Sequence, residues 1–174
     1  MTSLFDLSQK HILVTGSNAG IGLQIARGLA QHGAHVILNG RNESKLQGAA
    51  EALRKEGLSV SEARFDLTQY ARTTTGPYTA AKGGLKMLTK AMCADWARFN
   101  IQVNAIGPGY FITEMTQVLA DDPKFDGWVK QRTPAARWGI PSELIGAAVF
   151  LSSDASSFVD GQIIYVDGGM SAAL

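Results

Sequence analysis

A single cysteine, Cys93, leaves this chain of 174 residues without an internal disulfide. Lying among helix-forming residues, it reads as an inert buried thiol. No apolar run approaches the length needed to cross a bilayer, and Met1–Lys10 contains no apolar signal region. Histidine is scarce. His11, His32 and His35 lack metal-ligand spacing, so no metal site is expected. A net charge of +1, with no basic run, gives no footprint for nucleic acid or another polyanion. There is no repeat and no low-complexity tract. These absences leave a soluble cytoplasmic protein as the default, without a nucleic-acid or membrane partner. Its length and 45% apolar content suit one domain with a real core, taken as residues 1–174.

What is present alternates. His11–Thr15 is a short apolar run, and Ile21, Ile25 and Leu29 then follow helical spacing up to Gly33. His35–Asn39 is a second strand. Leu46, Ala49, Ala50 and Leu53 give a second helical face, closed by Gly57, and Ser59–Asp66 reads as a third strand. A long helix over Tyr78–Phe99 presents Leu85, Leu88, Met92 and Trp96. A strand follows over Ile101–Ile106, closed by Gly107-Pro108-Gly109. Residues 110–139 form a loop with short helices. Pro141 opens a helix to about Leu151, and Gln162–Val166 is the last strand. Strands alternating with helices imply an α/β fold with a parallel sheet and right-handed crossovers.

Two segments carry chemistry. Thr15-Gly16-Ser17-Asn18-Ala19-Gly20-Ile21-Gly22 joins the first strand to the first helix. Its glycines let the backbone turn tightly and approach a ligand, and a helix N-terminus suits a pyrophosphate. The spacing differs from the usual dinucleotide fingerprint, and a turn serving helix packing alone is the plainer alternative. The second strand ends Asn39-Gly40-Arg41 without the acid that binds the ribose hydroxyls of NAD. Arg41 instead suits a 2′-phosphate, which favours NADP(H) over NAD(H). Asp66 is placed to accept from the adenine amino group, or is an ordinary turn residue. The second segment is Pro77-Tyr78-Thr79-Ala80-Ala81-Lys82. Tyr78 and Lys82, four apart, share a helix face, and an ammonium beside a phenol favours phenolate, the requirement for proton transfer near neutral pH.

Thr-Gly-x-x-x-Gly-x-Gly followed by Tyr-x-x-x-Lys resembles the short-chain dehydrogenase/reductase family. Asn104–Tyr110 and Phe158–Gly169 are similar to its late segments, so the likeness covers nearly the whole chain. Within the family, Gly109–Met115 and Arg132–Gly139 are most similar to the gluconate 5-dehydrogenase (5-ketogluconate reductase) branch. The resemblance implies a Rossmann-like doubly wound sheet and an NAD(P)-dependent oxidoreductase interconverting a secondary alcohol and a ketone, here a sugar acid. It implies that Tyr78 passes a proton to or from the substrate oxygen and that Lys82 holds the nicotinamide ribose. Gly16, Ser17, Asn18, Gly20, Ile21, Gly22, Arg41 and Asp66 would line the cofactor. Pro108, Gly109, Ile112 and Thr113 would meet the nicotinamide amide, and Tyr110–Gly139 would form a substrate lid. Lys130, Arg132 and Arg137 are candidate partners for a substrate carboxylate. A homo-tetramer is the family's common assembly.

One part of the family pattern is missing. The catalytic serine ahead of the tyrosine is replaced by Phe65, and the Asn-Asn-Ala-Gly motif is absent. Only 11 residues separate Asp66 from Tyr78. Roughly 80 residues of a family-sized domain, two strands and two helices, are therefore missing, with the seam near 67–73. Losing two central strands would leave their neighbours about 14 Å apart instead of about 4.8 Å. Either those strands close up in a deletion variant, or the natural protein carries a segment this sequence omits. The omission is favoured, because an open sheet centre is a large defect against a stability of roughly 5–15 kcal/mol. The other reading of function is a non-catalytic NADP-binding protein or an inactive fragment.

Overall fold

A computed structural model describes residues 4–65 and 75–173, with the side chains of 75–80 outside that set. The proposed seam at 67–73 and Asp66 lie outside the described residues. The first half runs β1 (His11–Val14), α1 (Gly20–Gln31), β2 (His35–Asn39), α2 (Glu43–Lys55) and β3 (Val60–Ala63). The second runs α3 (Thr75–Trp96), β4 (Ala105–Pro108), α4 (Gln117–Ala120), α5 (Pro123–Arg132), α6 (Ile145–Ser152) and β5 (Ile163–Val166). All strand pairings are parallel: β1 with β2, β2 with β3, and β4 with β5. This is a Rossmann-like α/β arrangement, as the alternation implied.

The helices start and stop for local reasons. Asn42 caps α2 by accepting from the Lys45 amide at 2.9 Å, Glu43 sits at the positive end, and Arg54 and Lys55 at the negative end. Gly33 and Gly57, both at positive φ, end the first two helix–strand connections. Leu29, Val36, Leu38, Leu46, Leu53 and Val60 form the core between α1, α2 and the first sheet.

The sheet is in two pieces. Among the described residues β1 bonds only to β2, and β4 only to β5. The exposed edge of β1 leaves Leu13 47% accessible. On α3, Leu85 and Met92 are half-buried, but Met87, Leu88 and Trp96 are exposed. A helix whose expected apolar face is partly in water lacks part of its packing surface. The second half is joined to the first through α6, whose Ala148 and Val149 enter the core cluster beside Leu29. Gly28 allows this approach, since a Cβ there would meet the Ile145 side chain at 2.7 Å. Burying one such aliphatic side chain contributes about 1.5–3 kcal/mol. The Lys10–Asp154 pair that also spans the halves is exposed and contributes at most about 1 kcal/mol. Apolar packing therefore sets the arrangement.

Two boundaries and the burial of one residue differ from the sequence reading. β3 ends at Ala63, so Phe65 lies beyond the strand, because the pairing stops at Asn39–Ala63. β4 begins at Ala105 rather than Ile101. Residues 102–104 bond instead to the loop before β5: the Val103 amide donates to Asp160 at 2.7 Å, and the Asn104 side chain donates to the Val159 carbonyl at 2.7 Å. Cys93 is half-buried against Gly161 rather than fully enclosed, and partial burial with a hydrogen bond to Asp160 raises its pKa. Among the described residues, no helix is long and apolar enough to cross a membrane, and no cluster of metal-ligating side chains occurs.

Candidate active site

The glycine turn sits between β1 and α1 at the carboxyl end of the first sheet. Gly16 and Gly20 adopt φ of +65° and +55°, where a side chain would be strained. A Cβ on either would meet nothing within 4 Å, so conformation rather than crowding requires glycine there. Gly22 is the reverse case: its Cβ would lie 2.9 Å from the Ser17 Cα, so its lack of a side chain lets α1 press against the turn. Ala19 enters α1 extended, with no side-chain cap and no acid in the first turn. The first amides of α1 are thus left without a side-chain partner of their own, and the turn fits a pyrophosphate.

Ser17 and Asn39 lock this turn. The buried Ser17 hydroxyl donates to the Val14 carbonyl at 2.7 Å and accepts from the Asn39 amide at 2.9 Å. The Ser17 amide donates to the Asn39 carbonyl at 2.8 Å. The Asn39 carboxamide oxygen accepts from the Gly16 amide at 3.1 Å, and its nitrogen donates to the carbonyls of Ala63 and Phe65 at 3.0 and 3.1 Å. Ser17 therefore contributes position to the turn, its hydroxyl and amide both being engaged inside the protein. Sequence reasoning passed over Asn39. The available signal was an amide side chain ending an otherwise apolar strand. Asn18 lies against Gly40, where a Cβ would come within 2.8 Å of its Cγ, and Ile21 is half-buried on α1. Arg41 is exposed just beyond β2, and the Arg64 Nε donates to its carbonyl at 3.2 Å.

At the far end, Pro108 closes β4. The Gly109 amide donates to the Val166 carbonyl at 3.1 Å, and a Cβ on Gly109 would meet the Asp167 Cα at 2.8 Å. The Ile112 amide donates to the Gly139 carbonyl at 2.9 Å, and Gly139 returns its amide to the Tyr110 carbonyl. The two ends of segment 110–139 are thereby clipped together. Thr113 is held by Thr116, whose hydroxyl accepts from the Thr113 amide at 2.8 Å and donates to the Phe111 carbonyl at 2.6 Å.

The segment carries its own aromatic cluster, Tyr110, Phe125, Trp128 and Trp138, with Tyr110 edge-on to the other three at 5.6–5.7 Å. Phe111 is buried and Met115 almost fully exposed. Asp126 accepts from the Trp138 indole at 2.9 Å and from Lys130 at 2.7 Å; the Lys130 hydrogen bond chiefly lowers its pKa. Glu143 takes both guanidinium arms of Arg137, at 2.6 and 2.9 Å, and the Ile140 amide at 2.8 Å. The Arg137 hydrogen bond, then that of the amide, holds the Glu143 pKa at about 2. Lys130 and Arg137 are thus matched to carboxylates of this chain. Among the described residues, Arg132 donates to the Ala173 carbonyl at 3.4 Å and pairs with no carboxylate. A small cavity between Tyr110, Phe111, Arg137, Glu143 and Asp167 separates the segment from the end of β5.

Lys82 is exposed on α3, the helix that also holds Tyr78, whose side chain is outside the described set. Phe65 is partly exposed past β3 and offers no hydroxyl. The structure thus assembles the glycine turn and clips together the two ends of segment 110–139.

Comparison with known proteins agrees with this division. The short chain dehydrogenase profile matches residues 10–76, and a profile described as Enoyl-(Acyl carrier protein) reductase matches residues 67–171. The two matches meet across the proposed seam. Gluconate 5-dehydrogenase of Gluconobacter oxydans (strain 621H) is 37% identical over 251 residues, spanning 98% of this chain and 98% of that protein. The 5-keto-D-gluconate 5-reductase of Escherichia coli (strain K12) is 36% identical over 254 residues, spanning all of both. An alignment of 251 positions against a chain of 174 leaves at least 77 (251 less 174) without a counterpart here. The crystal structure of a gluconate 5-dehydrogenase from Burkholderia cenocepacia J2315, in complex with NADP and tartrate, superposes with a TM-score of 0.85 at 35% identity, covering 98% of each chain. Halves that had closed upon one another would not superpose over that span.

The Glu143 carboxylate gives a pH test of the contacts that hold Arg137 and Ile140. Its folded pKa lies below the ordinary value of 4.5, so its contribution is complete above about 4.5 and is lost as pH falls toward about 2. Thermal melts should show Glu143→Gln less stable than the parent at pH 7. The difference should shrink steadily below pH 4.5. A difference unchanged down to pH 3 would contradict the assignment.

Proposed function

This chain belongs to the short-chain dehydrogenase/reductase family of NAD(P)-dependent oxidoreductases, and we propose that its reaction interconverts a secondary alcohol and a ketone on a sugar acid, with gluconate and 5-ketogluconate as the pair. The observation that carries this is similarity along nearly the whole chain to proteins named for that pair. NADP is the preferred cofactor. Support comes from the absence of an acid after β2, the exposed Arg41 in its place, and a relative whose structure holds NADP.

The residues divide the work. The uncapped first turn of α1 holds the pyrophosphate, while Gly16 and Gly20 shape the turn that lets it approach. Pro108, Gly109, Ile112 and Thr113 face the amide end, on backbone fixed by β5 and Gly139. The nicotinamide, when bound, supplies or accepts the hydride. Tyr78 gives a proton to the substrate oxygen during reduction and takes it back during oxidation, and Lys82 favours its phenolate by charge. Among the three cations considered for the substrate carboxylate, Arg132 fits best, since Lys130 and Arg137 already face Asp126 and Glu143.

Phe65 supports a second reading for this chain taken alone. A phenyl ring cannot hydrogen-bond a substrate oxygen, and general acid–base groups typically contribute about 10²–10⁴-fold. The intact enzyme, on our proposal, carries a central segment between Asp66 and Tyr78 that provides the serine, the missing strands and the packing surface for α3. The 174-residue chain would then bind the nucleotide but turn over slowly. Self-association into a tetramer through α3 and the tail beyond Asp167 completes the proposal.

With a relative's central segment inserted, the enzyme should oxidise NADPH in the presence of 5-ketogluconate. Arg41→Ala should raise KM for NADPH at least about tenfold while changing NADH little, because a charge-assisted partner of the 2′-phosphate is lost. Equal losses for both cofactors would refute the NADP assignment, and no ketogluconate-dependent oxidation would refute the substrate. Light scattering at micromolar concentration should give a tetramer mass for the same protein. A monomer mass would contradict the assembly.

A further inference from the structure

The NADP reading rests on Arg41, yet a second guanidinium stands beside it. Arg64 follows β3 immediately, and β3 pairs with β2 in a register that ends at Asn39 opposite Ala63. That register carries the Arg64 side chain toward the loop after β2. Its Nε donates to the Arg41 carbonyl at 3.2 Å, and its Nη1 meets Glu43 Oε2 at 3.1 Å. The loop it touches is itself placed against the cofactor turn. Gly40 is buried with Asn18 of that turn upon it, and Asn42 begins α2 as its cap. Arg64 is thus fixed to the same stretch of backbone that presents Arg41.

We infer that Arg64 is a second determinant of the 2′-phosphate preference and that Glu43 is the counter-ion which the phosphate displaces. This inference rests on the NADP reading. Three features support it. Both partners of the Arg64–Glu43 pair are mostly exposed, at 61% and 62%, so water screens the pair and exchange for another anion is inexpensive. A phosphate dianion carries more charge than a carboxylate and accepts both arms of a guanidinium. The position that Glu43 occupies, in the first turn of α2, already favours negative charge through the helix dipole. The plainer account makes Arg64 a strut between β3 and α2 with no influence on ligand choice.

Calorimetric titration of the 174-residue chain with adenosine 2′,5′-bisphosphate and with 5′-AMP separates these accounts without requiring turnover. The parent should prefer the bisphosphate. Arg64→Gln should weaken the bisphosphate about tenfold and 5′-AMP less than about twofold, as expected for a lost charged phosphate contact. Glu43→Gln should tighten the bisphosphate about threefold at low salt and leave 5′-AMP unchanged, since only the competing charge is removed. Should Arg64→Gln fail to fold, Arg64→Lys and Glu43→Gln carry the test, with Lys retaining charge but losing the fork. If these variants keep the parent's ratio while Arg41→Ala abolishes it, the inference fails and the NADP reading stands. If the parent shows no preference for the bisphosphate, or binds neither ligand, both fall.

Discussion

The Asn39 carboxamide is the tie on which the nucleotide end depends. It stands at the carboxyl end of β2, buried, and bonds at once to the turn after β1 and to the backbone after β3. Gly16 can hold its left-handed conformation open to a ligand because its amide is satisfied from below by this side chain. Losing it would leave three backbone groups without their partner. These groups are only partly buried, so water can replace the lost partner and each costs less than the roughly 1–3 kcal/mol of a fully buried orphan. A buried polar side chain in the first sheet is therefore what gives the cofactor turn its shape. The glycines permit that shape, and Asn39 with Ser17 imposes it.

On the other side of β1 no such tie exists among the described residues. β1 and β4 are not hydrogen-bonded to each other, and the second pair of strands is carried into place by α6 packing on α1. The exposed Leu13, Met87, Leu88 and Trp96 cluster on the elements that border this region, β1 and α3. Exposed apolar side chains grouped in this way mark a surface that another segment or another copy of the chain would cover. That a segment is absent follows from the alignment positions that have no counterpart here and from the two family profiles meeting at 67–76. The glycine turn and the helix that holds Tyr78 lie on opposite sides of residues 66–74 along the chain.

Much of this was legible in the sequence. The period of apolar residues located α1, β2 and α2 closely, since each has a continuous partner within the first half. The glycine turn was legible from residue type, because Gly16 and Gly20 hold a positive φ that few other side chains tolerate. The errors fall where pattern and environment part. Ile101–Asn104 has strand-like composition, but its backbone is claimed by Asp160 and Val159, so β4 begins later. The long helix has an apolar face without enough to cover it. The pairing of Arg137 with Glu143, six residues away, and of Trp138 with Asp126 could not be read from spacing, because both depend on how segment 110–143 folds back on itself. Asn39 was missed because one polar residue at a strand end resembles many others until its three partners are seen.

The central proposal is that the working enzyme contains a segment between Asp66 and Tyr78 that this chain lacks. The mass of the intact protein purified from its natural source tests it most directly. The proposal predicts about 27 kDa, the size of a single α/β domain of roughly 250 residues. A mass of 18.5 kDa, that of the present chain, would contradict it and would mean that the protein functions with its sheet interrupted.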